Sequence, residues 1–179
     1  MSTFSKHKKG KEEVTLVQDY QVYIDLGARF VVFTEDLALA NDANLDLVMT
    51  LTGGADIKFD YEVEADGACE VRLYEAPTVT AATGTALTAY NRNRKLASNA
   101  IAATFLKNPT VTAAGTQISR TRIFGTSGNT SSKSGGAALS ISERVAKTGK
   151  YLVRVTGKTT PANTKVSVQL SLSDSTYNG

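Results

Sequence analysis

Short runs of alternating apolar and polar residues fill most of this sequence and limit the folds open to it. In DIKFDYEVEADG, the apolar residues Ile57, Phe59 and Tyr61 alternate with Lys58 and Asp60. Successive side chains of a β-strand point to opposite faces, so this period predicts antiparallel strands with one buried and one hydrated face. The same period recurs in YQVYIDL, NLDLVMTL, CEVRLYE, GKYLVRVTG and KVSVQLSLS.

Turn residues separate these runs at short intervals, as Gly-Gly, Asp-Gly and Thr-Gly pairs. Many short strands joined by such turns predict an all-β protein, either a sandwich or a barrel. A short helix is considered only around Thr34–Ala40. The Gly/Ser-rich segment 125–136 predicts a mobile surface loop, because small polar residues bury too little apolar area to offset their ordering.

The length of 179 residues suits one domain, which at this size buries roughly 70% of its unfolded surface. Residues 1–13 are polar and basic without any period, and we expect them to form a flexible arm. Residues 14–179 then form a single β-sandwich domain. The start lacks a hydrophobic stretch after its lysines, so we expect no secretory signal and a soluble protein.

The motif Pro-Thr-Val-Thr-Ala-Ala occurs twice, beginning at Pro77 and at Pro109, and a glycine follows each copy. Proline cannot donate a hydrogen bond to a sheet, so Pro77 and Pro109 each belong at a strand edge or start. Gly84 and Gly115 permit the positive φ of a tight reversal. The pattern predicts a strand end, a projecting turn and a returning strand in each copy. Independent convergence on common turn residues is the alternative explanation.

Arginines follow both copies. In YNRNRK the alternate spacing of Tyr90, Arg92 and Arg94 predicts that all three face one way from a strand. Guanidinium groups bind carboxylates through two parallel hydrogen bonds, and Arg and Tyr are common at the centres of interfaces. Simple solubilising charge is the alternative. The predicted protein-interface residues are Tyr90, Arg92, Arg94, Lys95, Arg120, Arg122, Lys8 and Lys9.

Several kinds of chemistry are disfavoured. The only histidine, His7, lies in the arm, and the only cysteine, Cys69, lies on the apolar face of a strand, so no nucleophile–base pair is expected. The acidic residues of the 62–70 hairpin fit a hydrated strand face. Asp42 and Asp46 lack the spacing of a calcium loop. We therefore expect no enzyme, cofactor or metal, and no membrane span.

Nucleic acid is not the expected partner, because the net charge is only +3 and no aromatic residues lie among the arm lysines.

The strings LYEAPTVTAATGTALTAYNRNR, FLKNPTVTAAGTQI and TGKYLVRVTG resemble a family of small tailed-bacteriophage virion proteins. The likeness is densest over Glu70–Lys95 and weaker over Val22–Leu172; the end, SVQLSLSDSTYNG, lacks the Trp-Tyr close of that family. The resemblance implies a jelly-roll-like sandwich placed on or between capsid subunits.

The function that this resemblance implies is capsid decoration or cementing, which stabilises the assembled head. The expected partners are the major capsid protein or other virion subunits and further copies of the chain in a homo-oligomer, in a virion assembled in the bacterial host cytoplasm. A head–tail connector, collar or fibre-base component is the alternative within virions. A carbohydrate-binding β-sandwich is the alternative from another class.

Overall fold

A computed structural model describes residues 5–9, 12–16, 20–53, 57–124, 137–159 and 163–174. The elements in chain order are β1 (Ser5–Lys9), β2 (Glu12–Leu16), α1 (Tyr20–Asp25), β3 (Arg29–Leu39), β4 (Asn44–Leu51), β5 (Ile57–Ala65), β6 (Cys69–Glu75), β7 (Thr78–Val79), β8 (Thr85–Leu87), β9 (Tyr90–Asn91), a 3₁₀-helix (Arg94–Leu96), β10 (Ala103–Lys107), β11 (Val111–Ala113), β12 (Thr116–Ile123), β13 (Ala137–Ala146), β14 (Gly149–Gly157) and β15 (Thr164–Asp174).

Two antiparallel sheets pack face to face, so the predicted all-β sandwich is confirmed. The six-stranded sheet has the order β12-β6-β14-β4-β10-β8, and the five-stranded sheet has the order β13-β5-β15-β3-β9. Two smaller pairs, β1 with β2 and β7 with β11, complete the described strands. The strands β3 to β6 alternate between the two large sheets, and so do β12 to β15. The inward faces of the two sheets share one core.

The core consists of the apolar residues that the alternation assigned to inward faces. On β5, Ile57, Phe59 and Tyr61 are buried, and the ring of Phe59 lies 5.4 Å from the ring of Tyr151 on the opposite sheet. Cys69 is buried among them, as predicted. Full burial of one large apolar side chain contributes about 1.5–3 kcal/mol, so this core is the main source of stability.

Two local expectations were wrong. The run YQVYIDL forms the helix α1, which is followed by Gly27 at a φ of 67°. A helix of six residues is too short to show its own period in a sequence. The helix considered around Thr34–Ala40 is instead the second half of β3, because β15 pairs with that strand from Arg29 to Leu39. Tertiary pairing with β15 decides the second segment.

The N-terminal region contains a strand pair that the sequence did not predict. β1 pairs with β2 in antiparallel register, and neither strand pairs with a large sheet. Lys8 and Lys9 lie on β1, and their interface role stays a prediction, as does the flexibility of the arm. The expected mobile loop at 125–136 lies outside the described residues.

Candidate functional site

The two copies of the repeat occupy equivalent places in the six-stranded sheet. β6 leads into the first copy and β8 leaves it; β10 leads into the second copy and β12 leaves it. Each departing strand pairs with the strand that enters the other copy, since Thr116 lies opposite Glu75 and Thr85 lies opposite Lys107. A two-fold rotation about an axis between β14 and β4 therefore leaves the pairing pattern of this sheet unchanged.

The copies cover the sheet, so the prediction that they project was wrong. β7 of the first copy pairs with β11 of the second, with Val79 opposite Val111. Both valines pack on a second small core formed by Val48, Tyr74 and Leu152 on the outer face of the sheet. Because these apolar residues stand at positions that the alternation assigns to water, they need a cover, and the repeat supplies it.

Both glycines adopt the positive φ that the sequence predicted, at 83°. A Cβ atom at Gly115 would lie 2.2 Å from the backbone oxygen of Glu75, and one at Gly84 would lie 2.7 Å from that of Lys107. Each copy therefore closes on the strand that enters the other copy. The repeat therefore serves the fold.

The segment YNRNRK does not continue as a strand, so the expected common strand face for Tyr90, Arg92 and Arg94 was wrong. β9 ends at Asn91, and Asn93 caps the 3₁₀-helix by accepting a hydrogen bond from the backbone N–H of Lys95. The chain turns because asparagine side chains satisfy backbone groups locally and favour turns and caps.

Asn91 and Asn93 fix this turn to the body of the protein. Asn91 is buried, and its Nδ2 donates to the backbone oxygens of Gly27, at 2.7 Å, and Leu96, at 3.1 Å. The Nδ2 of Asn93 donates to the backbone oxygen of Asp25 at 3.1 Å. The asparagines of the motif are therefore structural, and they fix the backbone that carries Arg92 and Arg94.

The cations of the motif point into solvent. Arg92, Arg94 and Lys95 are exposed, and none forms an ion pair with any residue that the structure describes. Tyr90 is 45% exposed and stacks on Phe33, with ring centroids 5.9 Å apart. We name Phe33, Tyr90, Arg92, Arg94 and Lys95 the docking surface. It lies along the edge of the five-stranded sheet.

Phe33 was not among the predicted interface residues. Its side chain is 61% exposed, and Leu37 on the same strand is exposed as well. A signal was present in the sequence: the run Phe30–Phe33 is apolar throughout, so a strand there must carry apolar residues on both of its faces.

Arg120 and Arg122 lie away from the docking surface, on the outer face of the six-stranded sheet. Both side chains point to the same side of β12, as predicted, and both contact Oε2 of Glu70: Nη2 of Arg120 at 2.5 Å and Nε of Arg122 at 3.2 Å. Arg72 contacts Oε1 of the same carboxylate. Glu70 was expected on a hydrated face, yet it is buried beneath these arginines.

Burial would raise the pKa of Glu70, but hydrogen bonds from Arg120 and Arg122 and the charges of Arg72 and Arg120 outweigh it, so this pKa is lowered. The carboxylate is ionised at neutral pH and acts as the anion that holds three cations on one face. A carboxylate of this kind is a poor general acid, which agrees with a structural role.

Asp46 and Asp42 are each matched by a cation of the protein. Arg154 donates from Nε and Nη2 to the two oxygens of Asp46, both at 2.7 Å, and this bidentate pair raises the pKa of Arg154 despite burial. Lys158 contacts Asp42. Among the described residues, no three His, Cys, Asp or Glu side chains come together as a metal site.

An open depression with a volume of about 430 Å³ lies on the outer face of the five-stranded sheet. Glu35, Glu64, Asp66, Lys165 and Leu37 line much of it. Of these, Glu35 and Glu64 form no ion pair with any described residue. The depression therefore carries net negative charge, in contrast to the arginine-bearing face of the other sheet.

No helix in the described ranges has both the length and the apolar character to span a membrane. Comparison of the chain with protein-family models, curated proteins and solved structures finds no match.

Proposed function

We propose that this protein is a non-enzymatic structural component of a tailed-phage virion, most concretely a capsid decoration or cement protein that stabilises the assembled head. The resemblance in YEAPTVT…YNRNR and in the second PTVT copy suggests the virion. The docking surface suggests how the protein attaches. Binding that spans capsid subunits stabilises the assembled state by linkage, without catalysis.

The order of the strands supports a jelly roll, the finer form of the sandwich. We number the eight long strands β3, β4, β5, β6, β12, β13, β14 and β15 from one to eight in chain order. The five-stranded sheet then contains strands one, eight, three and six, which are β3, β15, β5 and β13. The six-stranded sheet contains strands two, seven, four and five, which are β4, β14, β6 and β12. This is the order obtained when a long antiparallel ribbon is wound around a sandwich. Jelly rolls occur in viral capsid proteins and in lectins, so this order fits the proposal without singling it out.

The observation that carries the attachment role is the presentation of unpaired arginines beside an aromatic ring. Asn91 and Asn93 fix the backbone, so Arg92 and Arg94 are held outward without a carboxylate among the described residues. Tyr90 adds apolar area next to them. Arginine and tyrosine anchors of this kind fit an acidic, partly apolar surface of a capsid subunit.

The test is attachment of the variant Arg92→Ala/Arg94→Ala to capsids stripped of this protein. If the arginines meet carboxylates in a buried interface, their loss weakens binding by about 2–5 kcal/mol. If they are solvated, the loss stays within about 0.5 kcal/mol. The matched control is Lys147→Ala/Lys158→Ala, which also removes two exposed cations.

Occupancy is measured on purified capsids at physiological salt, and the copy number of the bound protein by quantitative mass spectrometry. Hundreds of copies per particle support decoration, whereas about a dozen or fewer support a connector or collar component. Equal occupancy for the arginine variant and the wild type would show that the docking surface does not attach the protein to capsids. Absence of the protein from purified virions would overturn the proposal that it is a virion component.

A carbohydrate-binding module is a second candidate, favoured by one observation. The exposed Phe33–Tyr90 pair lies on a sandwich face with the exposed carboxylate of Glu35 on the same strand as Phe33. Exposed aromatic rings next to hydrogen-bonding groups suit sugar stacking. The chain has no Trp, so tyrosine fluorescence during titration with oligosaccharides reports on Tyr90. A Tyr90→Ala variant that abolishes saturable sugar binding would favour this candidate.

A further inference from the structure

The outer face of the six-stranded sheet carries arginines in directly facing positions. Across β12, β6 and β14, Arg120 lies opposite Arg72, and Arg72 lies opposite Arg154. Like charges that face each other on neighbouring strands destabilise a sheet. Glu70 and Asp46 neutralise two of the four arginines Arg72, Arg120, Arg122 and Arg154, which leaves an excess of two positive charges.

This excess is unnecessary for the fold, as the internal two-fold axis shows. The rotation that exchanges the two copies of the repeat places Arg72 on Thr104 and Arg154 on Thr50. The half of the sheet with threonines at these positions forms the same pairing without an arginine at either of them, and Lys150 lies opposite Thr50 there. Folding therefore explains the apolar residues under the repeat and the arginines that Glu70 and Asp46 neutralise, whereas the two positive charges in excess need another explanation.

The arginine face has the other properties of an interface. Arg120 and Arg122 are 47% and 59% exposed, and each contacts Glu70 through a single nitrogen, so most of their N–H donors point elsewhere. Ile118 on β12 and Phe124 just after it are exposed apolar residues. We name Ile118, Arg72, Arg120, Arg122 and Phe124 the arginine surface.

The opposite face of the sandwich has the complementary charge. Glu64, Ser167 and Glu35 face one another across β5, β15 and β3. Asp66 and Lys165 also line the depression, and their charges cancel. Glu35 and Glu64 therefore leave its lining residues with an excess of two negative charges. Leu37, at 62% exposure, supplies an apolar wall. The depression is concave, whereas the arginine surface carries protruding side chains.

We propose that the arginine surface of one copy docks into the acidic depression of a second copy. The excess charges are equal and opposite, and exposed apolar residues stand beside both sets. Because the two surfaces differ and lie on opposite faces of the sandwich, the contact is heterologous, and repetition gives a ring or a chain of copies. The contact uses none of the docking surface, so it goes beyond the proposed attachment to capsids and does not depend on it.

The first test is sedimentation velocity of the full chain at several protein concentrations, from about 50 mM to about 500 mM NaCl. The proposal expects association that grows with concentration at low salt and weakens as salt screens the charges. The variant Glu35→Gln/Glu64→Gln should weaken association about tenfold or more, which corresponds to a loss of about 1.4 kcal/mol or more in binding free energy. The control Ala81→Lys/Ser98→Lys adds the same net charge at exposed positions elsewhere and should associate like the wild type.

The second test exchanges the charges. Glu35→Lys/Glu64→Lys alone should be monomeric, and so should Arg120→Glu/Arg122→Glu carrying Glu70→Gln to avoid a cluster of carboxylates. A mixture of the two should form complexes. If the second variant does not fold, the glutamine variant of the depression still decides the matter, because its carboxylates form no ion pair with described residues. A wild type that stays monomeric at low salt, as it would if the arginine surface serves a different acidic partner, overturns the proposal. Association that the glutamine variant does not weaken overturns it equally.

Discussion

Replacing Glu70 by Gln tests whether one buried carboxylate holds the arginine-bearing face together. The side chain keeps its size and loses its charge, which leaves Arg72, Arg120 and Arg122 without a shared anion. An amide nitrogen also places donors against guanidinium donors. The expected result is a folded protein with a smaller free energy of unfolding at neutral pH.

The magnitude follows from the exposure of the three partners. Arg72 is only 28% exposed, and the loss of its anion leaves a partly buried guanidinium without a charged partner, which costs about 1–3 kcal/mol. Arg120 and Arg122 can turn toward water, so each of their contacts counts as a surface pair, worth about 0–1 kcal/mol. Together these give a loss of about 1–5 kcal/mol.

The pH dependence identifies the cause. A carboxylate whose pKa is lowered in the folded state contributes stability above its ordinary pKa of about 4.3, and this contribution is lost as pH falls through the lowered value. The difference in unfolding free energy between the wild type and Glu70→Gln should therefore be full near neutral pH and shrink below about pH 4.

Urea unfolding followed by circular dichroism at several pH values measures this difference. Glu62→Gln is the matched control, because Glu62 lies on the outer face of β5 without an ion pair in the described ranges, and its effect should stay within about 0.5 kcal/mol. A loss below about 0.5 kcal/mol for Glu70→Gln at neutral pH, or the same loss at every pH, would refute the reasoning.

Three further predictions concern the repeat, the turn and the arm. Gly115→Ala should lower the unfolding free energy by about 2–5 kcal/mol in urea titrations, from the strain of positive φ and the clash with Glu75; a loss under about 1 kcal/mol would contradict the close approach. Asn91→Ala should cost about 1–3 kcal/mol, against almost nothing for the exposed Asn41→Ala, and a similar small effect of both would disprove the role of Asn91. Deletion of residues 1–13 should leave the melting temperature of the isolated protein unchanged and weaken attachment to capsids; a markedly lower melting temperature would make the arm part of the fold.

Much of the local structure follows from the sequence alone, because it depends on residues close together in the chain. The period of two in β5 predicted both the strand and the burial of Ile57, Phe59 and Tyr61. Proline and glycine in the repeat predicted the reversals at Gly84 and Gly115, since few other residues tolerate a φ near 83°. These features need no knowledge of what lies across the sheet.

The docking surface and the arginine-bearing face required the tertiary structure. Glu70 belongs by its spacing to a hydrated strand face, and only the pairing of β12 with β6 brings Arg120 and Arg122 over it. Asn91 ends its strand because Gly27, distant in sequence, offers a buried carbonyl oxygen to its side chain. The two PTVT copies cover the sheet because β7 meets β11 there. Local pattern fixes which residues face inward, but the partner across a sheet is chosen by chain topology, which no short window of sequence contains.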